Sequence, residues 1–488
     1  MRRLAVVLGG LLALLPASGG AALERVPAIV HIHSDLSTGD FPLEHLAREA
    51  ERLGIGALFV SENYLLRIEY GLPPFRALTR ATYSVPGVLD SGLERYLGRV
   101  AAVRRQVPGV LILPGVEVIP HYFWTGSPLA LDLKLHNTQK NLLVFGVTDA
   151  ETLRTLPSAG NPYVARYTWE SLLDALPGLL VVPGIAMLLS RRRRLARIGR
   201  AVVVVRHRRW LAGALVTLVG ATAIARGWPF TTDLFSPYAD LGLEPHQALI
   251  DHVERLGGAT IWSFPEAWDE GTRQWGPVRV AWRTDPYPDD LLKTFRYTAF
   301  GAVYEDTTRV ELPREGWDRL LMQYAAGERS RPAWAVAESG FHGFSAGKTI
   351  GTIQTVFLVA DRSEAALLDA LKRGRAWALQ RKAEVGLELA EFTVGAPGTL
   401  ARSGETLRVP APASVEVRIG IDASDRSALP LRVTLVRSGA VVGAWSATTP
   451  FRILHRETFD GPPAVFRVDV RGPTPHRLLT NPIFVAAP

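Results

Sequence analysis

The chain has 488 residues, which is enough for two or three domains. Hydrophobic residues make up 47% of the chain and charged residues 21%, and the mean hydropathy of +0.10 is high for a purely soluble protein, which indicates membrane segments. There is no cysteine, so disulfides and thiolate metal sites are excluded and any metal must be bound by His, Asp, Glu or Asn.

The net charge of +8 does not indicate a nucleic-acid partner. Nine arginines lie within residues 191–209, a segment that contains no acidic residue. Without those nine charges the net charge of +8 would be −1. The basic character therefore belongs to one segment rather than to a surface, and we expect no nucleic acid to bind.

Residues 1–22 have the three parts of a secretory signal peptide. Arg2 and Arg3 precede an apolar run, and small residues lead to Ala22, where cleavage would fall. An uncleaved N-terminal anchor is the alternative. In either case the segment that follows is predicted to be exported.

A pair of histidines follows this segment. Residues 28–30 are apolar and predict a short strand that ends in His31-Ile32-His33. Because side chains alternate along a strand, the two imidazoles are expected to project the same way. That arrangement suits a divalent cation such as Zn, Mn or Fe. The alternative is two unrelated histidines, one paired with a carboxylate and one solvated.

Helix and strand patterns then alternate along the chain. The predicted elements are a helix over 42–53, a strand at 57–60 that ends in Ser61-Glu62-Asn63, a helix over 91–107, a strand at 110–113 that leads to Glu117, and a strand at 142–147. Residues 64–90 and 119–140 are predicted to be long loops that hold the substrate specificity. A carboxylate such as Glu117, at the end of a buried strand, lies where ligands gather.

This order resembles the start of a PHP (polymerase and histidinol phosphatase) domain, whose barrel carries metal ligands at the C-terminal ends of its strands. The resemblance implies an α/β fold with a distorted TIM-like (β/α)7 PHP barrel, formed by residues 23–171 and 228–382. It also implies that Glu117 is a bridging metal ligand; a solvated loop residue is the alternative.

The metal motifs of the family are only partly present here. The remaining ligand positions correspond to Thr38, Asn63, Asn141, Phe264 and His342, and His342 is the one strong ligand among them. The resemblance therefore implies a membrane-associated member with partly degenerate motifs. We expect fewer than three metal ions, and a domain without metal is the alternative.

Two nearby residues could replace missing ligands. His136 lies five residues before Asn141, where the family often has a histidine. Glu338 lies two residues before Gly340, which stands where the family has an aspartate. His136 is predicted to bind metal if its loop folds back, and Glu338 is considered as a substitute ligand.

Residues 172–227 interrupt the barrel pattern. The stretches 172–190 and 210–225 are apolar, and each is near the minimum length for a bilayer, about 17–20 residues. We predict a transmembrane helical hairpin whose Arg-rich loop stays in the cytoplasm under the positive-inside rule. The flanking parts would then lie on the periplasmic side of a bacterial inner membrane. A buried core hairpin is the alternative.

The pattern resumes after the hairpin. The predicted elements are helices over 245–256, 289–299, 314–326 and 363–373 and strands at 259–262, 301–304, 335–337 and 349–360. Residues 383–488 contain short alternating strands separated by Gly, Pro, Ser and Asp turns. They predict an Ig-like β-sandwich, which could contact an envelope protein partner.

The resemblance implies a membrane-tethered, outward-facing phosphoesterase that hydrolyses a small phosphorylated substrate through metal-bound hydroxide. His31, His33 and Glu117 would bind the metal, with His342 a further ligand. His342 or Glu62 would assist proton transfer. The alternative is a catalytically degenerate PHP-like module that binds a ligand or acts as a scaffold in the cell envelope. The enzyme hypothesis predicts that the following residues meet at one end of the barrel: His31, His33, Glu117 and His342, surrounded by Asn63, Asn141 and Phe264.

Overall fold

A computed structural model describes residues 23–275, 278–344, 348–382 and 385–488 of the chain. Residues 1–22, predicted to be a signal peptide or an N-terminal anchor, lie outside the described residues. The architecture is mixed α/β, with one large sheet whose first strands are mostly parallel and with many further strands toward the C-terminus.

The N-terminal part of the described chain alternates strands and helices. Its elements are β1 (Glu24–Ile32), α1 (Leu43–Arg52), β2 (Ala57–Asn63), β3 (Leu66–Tyr70), α2 (Arg76–Thr79), β4 (Ala81–Val85), α3 (Val88–Ser91), α4 (Leu93–Gln106), β5 (Leu111–Val118), β6 (Phe123–Thr125), β7 (Lys134–His136), β8 (Leu142–Phe145) and α5 (Ala150–Arg154). An insertion follows, with α6 (Trp169–Ala175), a 3₁₀ helix (Leu176–Leu180), α7 (Val181–Leu189), β9 (Arg191–Ile198), β10 (Ala201–Arg208) and α8 (Trp210–Gly227).

The alternation then resumes and ends in a run of strands. The elements are α9 (Glu244–Arg255), β11 (Ala259–Trp262), β12 (Asp269–Trp275), β13 (Val278–Thr284), α10 (Asp290–Lys293), β14 (Ala299–Val303), α11 (Gly316–Ala325), β15 (Trp334–Ala337), β16 (Ile353–Val359), α12 (Glu364–Arg373) and β17 (Ala376–Gln380). The C-terminal strands are β18 (Leu387–Ala396), β19 (Thr399–Arg402), β20 (Thr406–Arg408), β21 (Ala413–Ala423), β22 (Pro430–Arg437), β23 (Ala440–Thr448), β24 (Phe451–Phe459), β25 (Ala464–Arg471), β26 (Arg477–Thr480) and β27 (Ile483–Ala486).

Seven strands of the large sheet are neighbours in the order β1, β2, β5, β8, β11, β14 and β15. Neighbours are parallel, except that β8 runs antiparallel to both β5 and β11. Beyond β15, the Phe341 N–H donates to the His31 carbonyl (3.1 Å) and the His33 N–H donates to the Phe341 carbonyl (2.9 Å). The chain that follows the last strand therefore joins the end of the first strand.

The C-terminal strands form two sheets over one apolar core. One sheet has the order β19, β18, β21 and β24, and the other continues the large sheet through β17, β26, β25, β22 and β23. Buried side chains of the first sheet, such as Val417, share a cluster with side chains of the second, such as Val433 and Val468. Residues 383–384, at the predicted start of this region, lie outside the described residues.

The insertion carries two apolar helical segments, Trp169–Leu189 and Trp210–Gly227, which are long and apolar enough to cross a membrane by length and composition. Glycines let the segments approach closely. A Cβ added at Gly184 would lie 2.6 Å from the backbone N of Thr217, and one at Gly220 would lie 2.5 Å from the backbone N of Val181. Small residues at the contact are typical of helices that pack together in a membrane.

Several predicted elements differ from the structure. The Arg-rich segment was predicted to be a loop, but β9 and β10 form an antiparallel hairpin with a two-residue turn at Gly199 and Arg200, because the valines of 202–205 favour a strand. The predicted loops 64–90 and 119–140 contain short strands and helices. The helix predicted over 289–299 is confined to Asp290–Lys293.

A buried ion pair joins α11 to the C-terminal strands. The Arg467 Nε donates to Asp318 Oδ1 at 2.6 Å, and only 1% and 5% of the two side chains are exposed. We expect Asp318→Ala to lower the free energy of unfolding by about 3–5 kcal/mol, because it leaves the Arg467 charge buried without a partner. Urea denaturation followed by tryptophan fluorescence measures the change.

An exposed ion pair of the same region provides the control. Arg452 donates to both carboxylate oxygens of Asp422 at 2.8 Å, and both groups contact solvent. Asp422→Ala is expected to cost less than about 1 kcal/mol. Equal losses in the two variants would contradict the importance of the buried pair.

Candidate metal centre

The candidate site lies at one edge of the seven strands. His31 and His33 lie at the C-terminal end of β1, Glu117 lies near the end of β5, and Glu338 directly follows β15. Asn141 directly precedes β8, but β8 is antiparallel to its neighbours, so its first residues lie at the same edge. The strand directions thus place these five residues at the same edge of the sheet.

His31 does not occupy a regular strand position. Its φ is 70°, in the left-handed region, and the pairing of β1 with β2 shifts register between Val30 and Ile32. The rings of His31 and His33 lie side by side, with centroids 4.9 Å apart, but a β-bulge rather than simple alternation directs them. A non-glycine residue with this φ costs free energy, and such strain is concentrated at functional sites.

The side chains of His31, His33 and Glu117 bring possible metal-binding atoms close to one another. The two Nε2 atoms of His31 and His33 are 2.9 Å apart, and each lies 3.5 Å from an oxygen of Glu117. Among the residues that the structure describes, this is the one group of three His, Asp or Glu side chains with donor atoms all within 4.8 Å.

These donors fit a single divalent cation. With ligand bonds of about 2.0–2.2 Å, the donors of a tetrahedral site lie about 3.3–3.5 Å apart. The 3.5 Å separations, from His31 to Oε1 and from His33 to Oε2 of Glu117, match that spacing, and the 2.9 Å between the two Nε2 atoms is somewhat shorter. Two imidazoles and a carboxylate are ligands that Zn, Mn and Fe all accept. The residues present therefore suit one such ion.

Burial and the electrostatic interactions among these side chains determine their charges. Burial lowers the pKa of His31, but the carboxylates of Glu117 and Glu338 outweigh burial and raise this pKa to about 9. Burial lowers the pKa of His33 well below its ordinary value. Burial raises the pKa of Glu117, but the two histidines outweigh it and hold this pKa well below the usual range. Without a metal, the one positive charge of His31 lies between two carboxylates and offsets only one of their two negative charges.

Glu338 binds Nδ1 of His31, the ring nitrogen that does not face His33 and Glu117. Its carboxylate accepts a hydrogen bond from His31 Nδ1 at 2.6 Å and another from the Phe264 N–H at 3.0 Å. A carboxylate on the far nitrogen fixes the tautomer and orientation of a metal-binding histidine. Gly301 makes room for it, since a Cβ there would lie 2.0 Å from Glu338 Oε2. The structure therefore places Glu338 next to the ligand group, where it orients His31, rather than among the ligands.

Glu62 is buried beneath the site and does not line its cavity. Its carboxylate accepts hydrogen bonds from the Ser34 N–H at 3.0 Å and from the hydroxyls of Ser34 and Ser37. Ser37 Oγ lies 3.5 Å from His33 Nδ1. Burial raises the pKa of Glu62 to about 7, against the opposing effect of these hydrogen bonds. Glu62 therefore interacts with His33 through Ser37 and is not among the residues that line the cavity.

His342 lies beside the ligand group. Its ring stacks on His33, with centroids 4.0 Å apart and planes 10° from parallel. Its Nδ1 is 3.0 Å from the Thr38 hydroxyl, which in turn accepts a hydrogen bond from Asn63 at 2.9 Å. Burial lowers the pKa of His342, which favours the neutral form of the ring. It can therefore accept a proton within the cavity.

Phe264 and Asn141 complete the lining. The Phe264 ring stacks on His31, with the ring centroids 5.3 Å apart. The ammonium of Lys348 lies 5.3 Å from the centroid of the Phe264 ring. Asn141 donates to Glu117 Oε1 at 2.7 Å. A phenyl ring cannot bind a metal, and an amide is a weak ligand. Both residues line a cavity of about 390 Å³, and neither supplies a strong ligand for a further ion.

The structure does not bring His136 to this group. It lies at the end of β7, where its Nε2 is 2.8 Å from the Thr125 hydroxyl and its ring stacks on Phe123 at 4.6 Å. The loop after β7 does not fold back, because β7 pairs with β13. His136 is absent from the lining of the cavity.

The chain is similar in structure to a two-domain protein from Bacteroides vulgatus, which is described as containing a predicted PHP-like metal-dependent phosphoesterase. The two chains are 11% identical, the match covers 91% of this chain and 90% of that one, and the TM-score is 0.34. The chain is also similar to a candidate metal-dependent phosphoesterase from Bifidobacterium adolescentis, with 13% identity, coverage of 66% and 90%, and a TM-score of 0.29. No protein-family model and no curated protein matches the chain. Both likenesses are distant, and the chemistry of the site rests on the residues of this chain.

Removing the charge of Glu338 tests its effect on the ligand group. We expect Glu338→Gln to weaken the binding of Zn²⁺ or Mn²⁺ by about 10- to 100-fold, because His31 loses the carboxylate that fixes it. Titration calorimetry on the purified chain measures the affinity. Glu364→Gln is the control, since Glu364 pairs with Arg104 away from the site and should leave affinity unchanged. Unchanged affinity in Glu338→Gln would contradict the role of this residue.

Proposed function

We propose that the chain is a metal-dependent phosphoesterase built on a distorted (β/α)7 barrel of the PHP type. The observation that carries the proposal is the buried group of His31, His33 and Glu117, with Glu338 behind it, at the edge where the strands end. Sites at the C-terminal ends of barrel strands are where such folds carry out catalysis. One divalent cation, Zn, Mn or Fe, is the proposed cofactor.

The reaction would hydrolyse a phosphate ester. A divalent cation in this site would polarise a phosphoryl oxygen as a Lewis acid. The oxygen of water forms the new P–O bond, the ester P–O bond breaks, and the leaving alcohol takes a proton. His342, neutral and fixed by Thr38, is the proposed group that transfers the proton. Glu62 is proposed as a positioning residue that acts on His33 through Ser37.

The two apolar helical segments are proposed to tether the chain to a bacterial inner membrane. Only 17% of each segment is buried within the protein, which supports a membrane over a buried core. Exposed aromatic side chains lie where the segments meet the rest of the chain, at Tyr167, Trp169 and Trp228. Such residues are enriched at the edges of a bilayer. The Arg-rich hairpin would remain in the cytoplasm and both domains would face the periplasm.

A ligand-binding or scaffolding module of the cell envelope is the second candidate. The observation that favours it is Phe264, whose ring covers one side of His31 and cannot bind a metal. Asn63 and Asn141 likewise occupy positions where stronger ligands would be needed for more ions. In this alternative the barrel has lost turnover, and the C-terminal strands contact a protein partner.

Hydrolysis of 4-nitrophenyl phosphate by the metal-loaded chain tests the enzyme directly. We expect His31→Ala and Glu117→Gln each to lower turnover by at least about 100-fold, because each removes a metal ligand. His252→Ala is the matched control, since His252 lies on α9 beside Thr155, away from the site. Metal analysis accompanies the assay. A wild-type chain that binds no metal under any loading condition would exclude the enzyme and favour the binding module.

Reporter fusions test the proposed orientation. Green fluorescent protein inserted at Gly199 in the Arg-rich hairpin should fluoresce, because that turn is expected in the cytoplasm. The same protein fused after Pro488 and exported in unfolded form should remain dark. Fluorescence from both fusions, or from the C-terminal fusion alone, would contradict the periplasmic placement.

A further inference from the structure

A second cleft opens directly beside the cavity of the candidate metal centre. It has a volume of about 490 Å³. The two spaces share part of their walls, because Leu66, Thr138, Gln139 and Asp269 line both. The cleft and the metal cavity are therefore adjacent, and a ligand with its phosphate at the metal centre would extend past these four residues to reach the cleft.

The cleft is mainly apolar. Two small sheets form its walls, one made by β3 and β4 and the other by β12, β13, β7 and β6. The apolar side chains that face it include Ile68, Val85, Trp124, Leu135, Val280 and Trp282. Sites for apolar ligands are typically clefts of roughly 300–1,000 Å³ lined by such residues. The charged side chains of Asp269 and Arg273 also contribute to its lining.

The wall formed by β3 and β4 links the metal centre to the apolar helices. Leu66, at one end of β3, lines the metal cavity, and Tyr70 lies at the other end, about 14 Å away at 3.4 Å per residue. The next helix, α2, contacts the end of α8: Arg226 donates to the carbonyls of Leu78 and Arg80 at 3.4 and 3.3 Å. The cleft therefore lies close to the proposed membrane surface.

We propose that the substrate is a phosphate ester that carries a long alkyl or acyl chain, with its phosphate at the metal centre and its chain in the cleft. The inference rests on the proposed function and specifies its substrate class. The shared wall gives the connection, the apolar lining gives the affinity for the chain, and the nearby helices give access to a lipid. A small polar phosphate ester would leave this apolar surface unused.

Alkylphosphonates test the inference by binding alone, because their C–P bond is not hydrolysed. The full metal-loaded chain is placed in phosphatidylcholine nanodiscs, and propylphosphonate and octylphosphonate are titrated by calorimetry, with empty nanodiscs subtracted. Octylphosphonate is expected to bind at least tenfold more tightly, because five additional methylenes leave water. Equal affinities in the wild-type chain would overturn the inference.

Two variants assign the chain-length effect to the cleft. Tyr83→Ser and Val85→Asn, on β4, each remove apolar lining and should reduce the affinity ratio of the two phosphonates to below threefold. Tyr163→Ser is the matched control, since Tyr163 is an exposed tyrosine outside the cleft, and it should keep the wild-type ratio. An unchanged ratio in both cleft variants would overturn the inference.

The outcomes separate this inference from the proposed function. If neither phosphonate binds and 4-nitrophenyl phosphate is not hydrolysed, both fail. If both phosphonates bind equally and turnover occurs, only the inference on the substrate fails. Competition by dihexadecyl phosphate, which stays in the nanodisc, would support an ester drawn from the bilayer, whereas chain-length dependence without competition would support an ester of the same class drawn from water.

Discussion

A buried imidazole between two buried carboxylates is the interaction on which the site depends. Glu338 and Glu117 flank His31, and the three groups are almost fully removed from solvent. An unpaired carboxylate in such a place would cost several kcal/mol, so each acid needs the charge of His31 or of a cation that replaces its proton. The strained backbone of His31 and the absence of a side chain at Gly301 both serve this arrangement.

The fold brings these groups together through the directions of its strands. Parallel strands carry their C-terminal residues to one edge, and the reversed β8 brings Asn141, the residue directly before it, to the same edge. The hydrogen bonds of Phe341 to the end of β1 then bring Glu338 and His342 against the histidine pair. Residues more than three hundred positions apart therefore share one cavity.

Elements outside the seven strands form the surroundings of the candidate site. The hairpin of β3 and β4 forms one wall of the apolar cleft and leads through α2 to the base of the exposed helices. The candidate metal centre, the apolar cleft and the pair of apolar helices thus lie next to one another in this order.

The sequence determined the features that are encoded locally. The strands β1, β2 and β5 and the two apolar helical segments follow from continuous apolar runs, and the amphipathic α1 follows from helical periodicity. The histidine pair and Glu117 stand out as donors at strand ends. The short strands of 64–90 and the antiparallel hairpin of β9 and β10 were not predicted, because strand formation depends on the partner strand as well as on local β-propensity.

Only the tertiary structure decided what surrounds the ligand group. Glu338 was considered as a ligand and His136 as a substitute, but their positions depend on contacts with β1 and β13 that no local pattern encodes. The same holds for Glu62, which lies beneath the site because two serines bind it. Sequence specifies which donors are available, whereas long-range packing specifies which of them face a common centre.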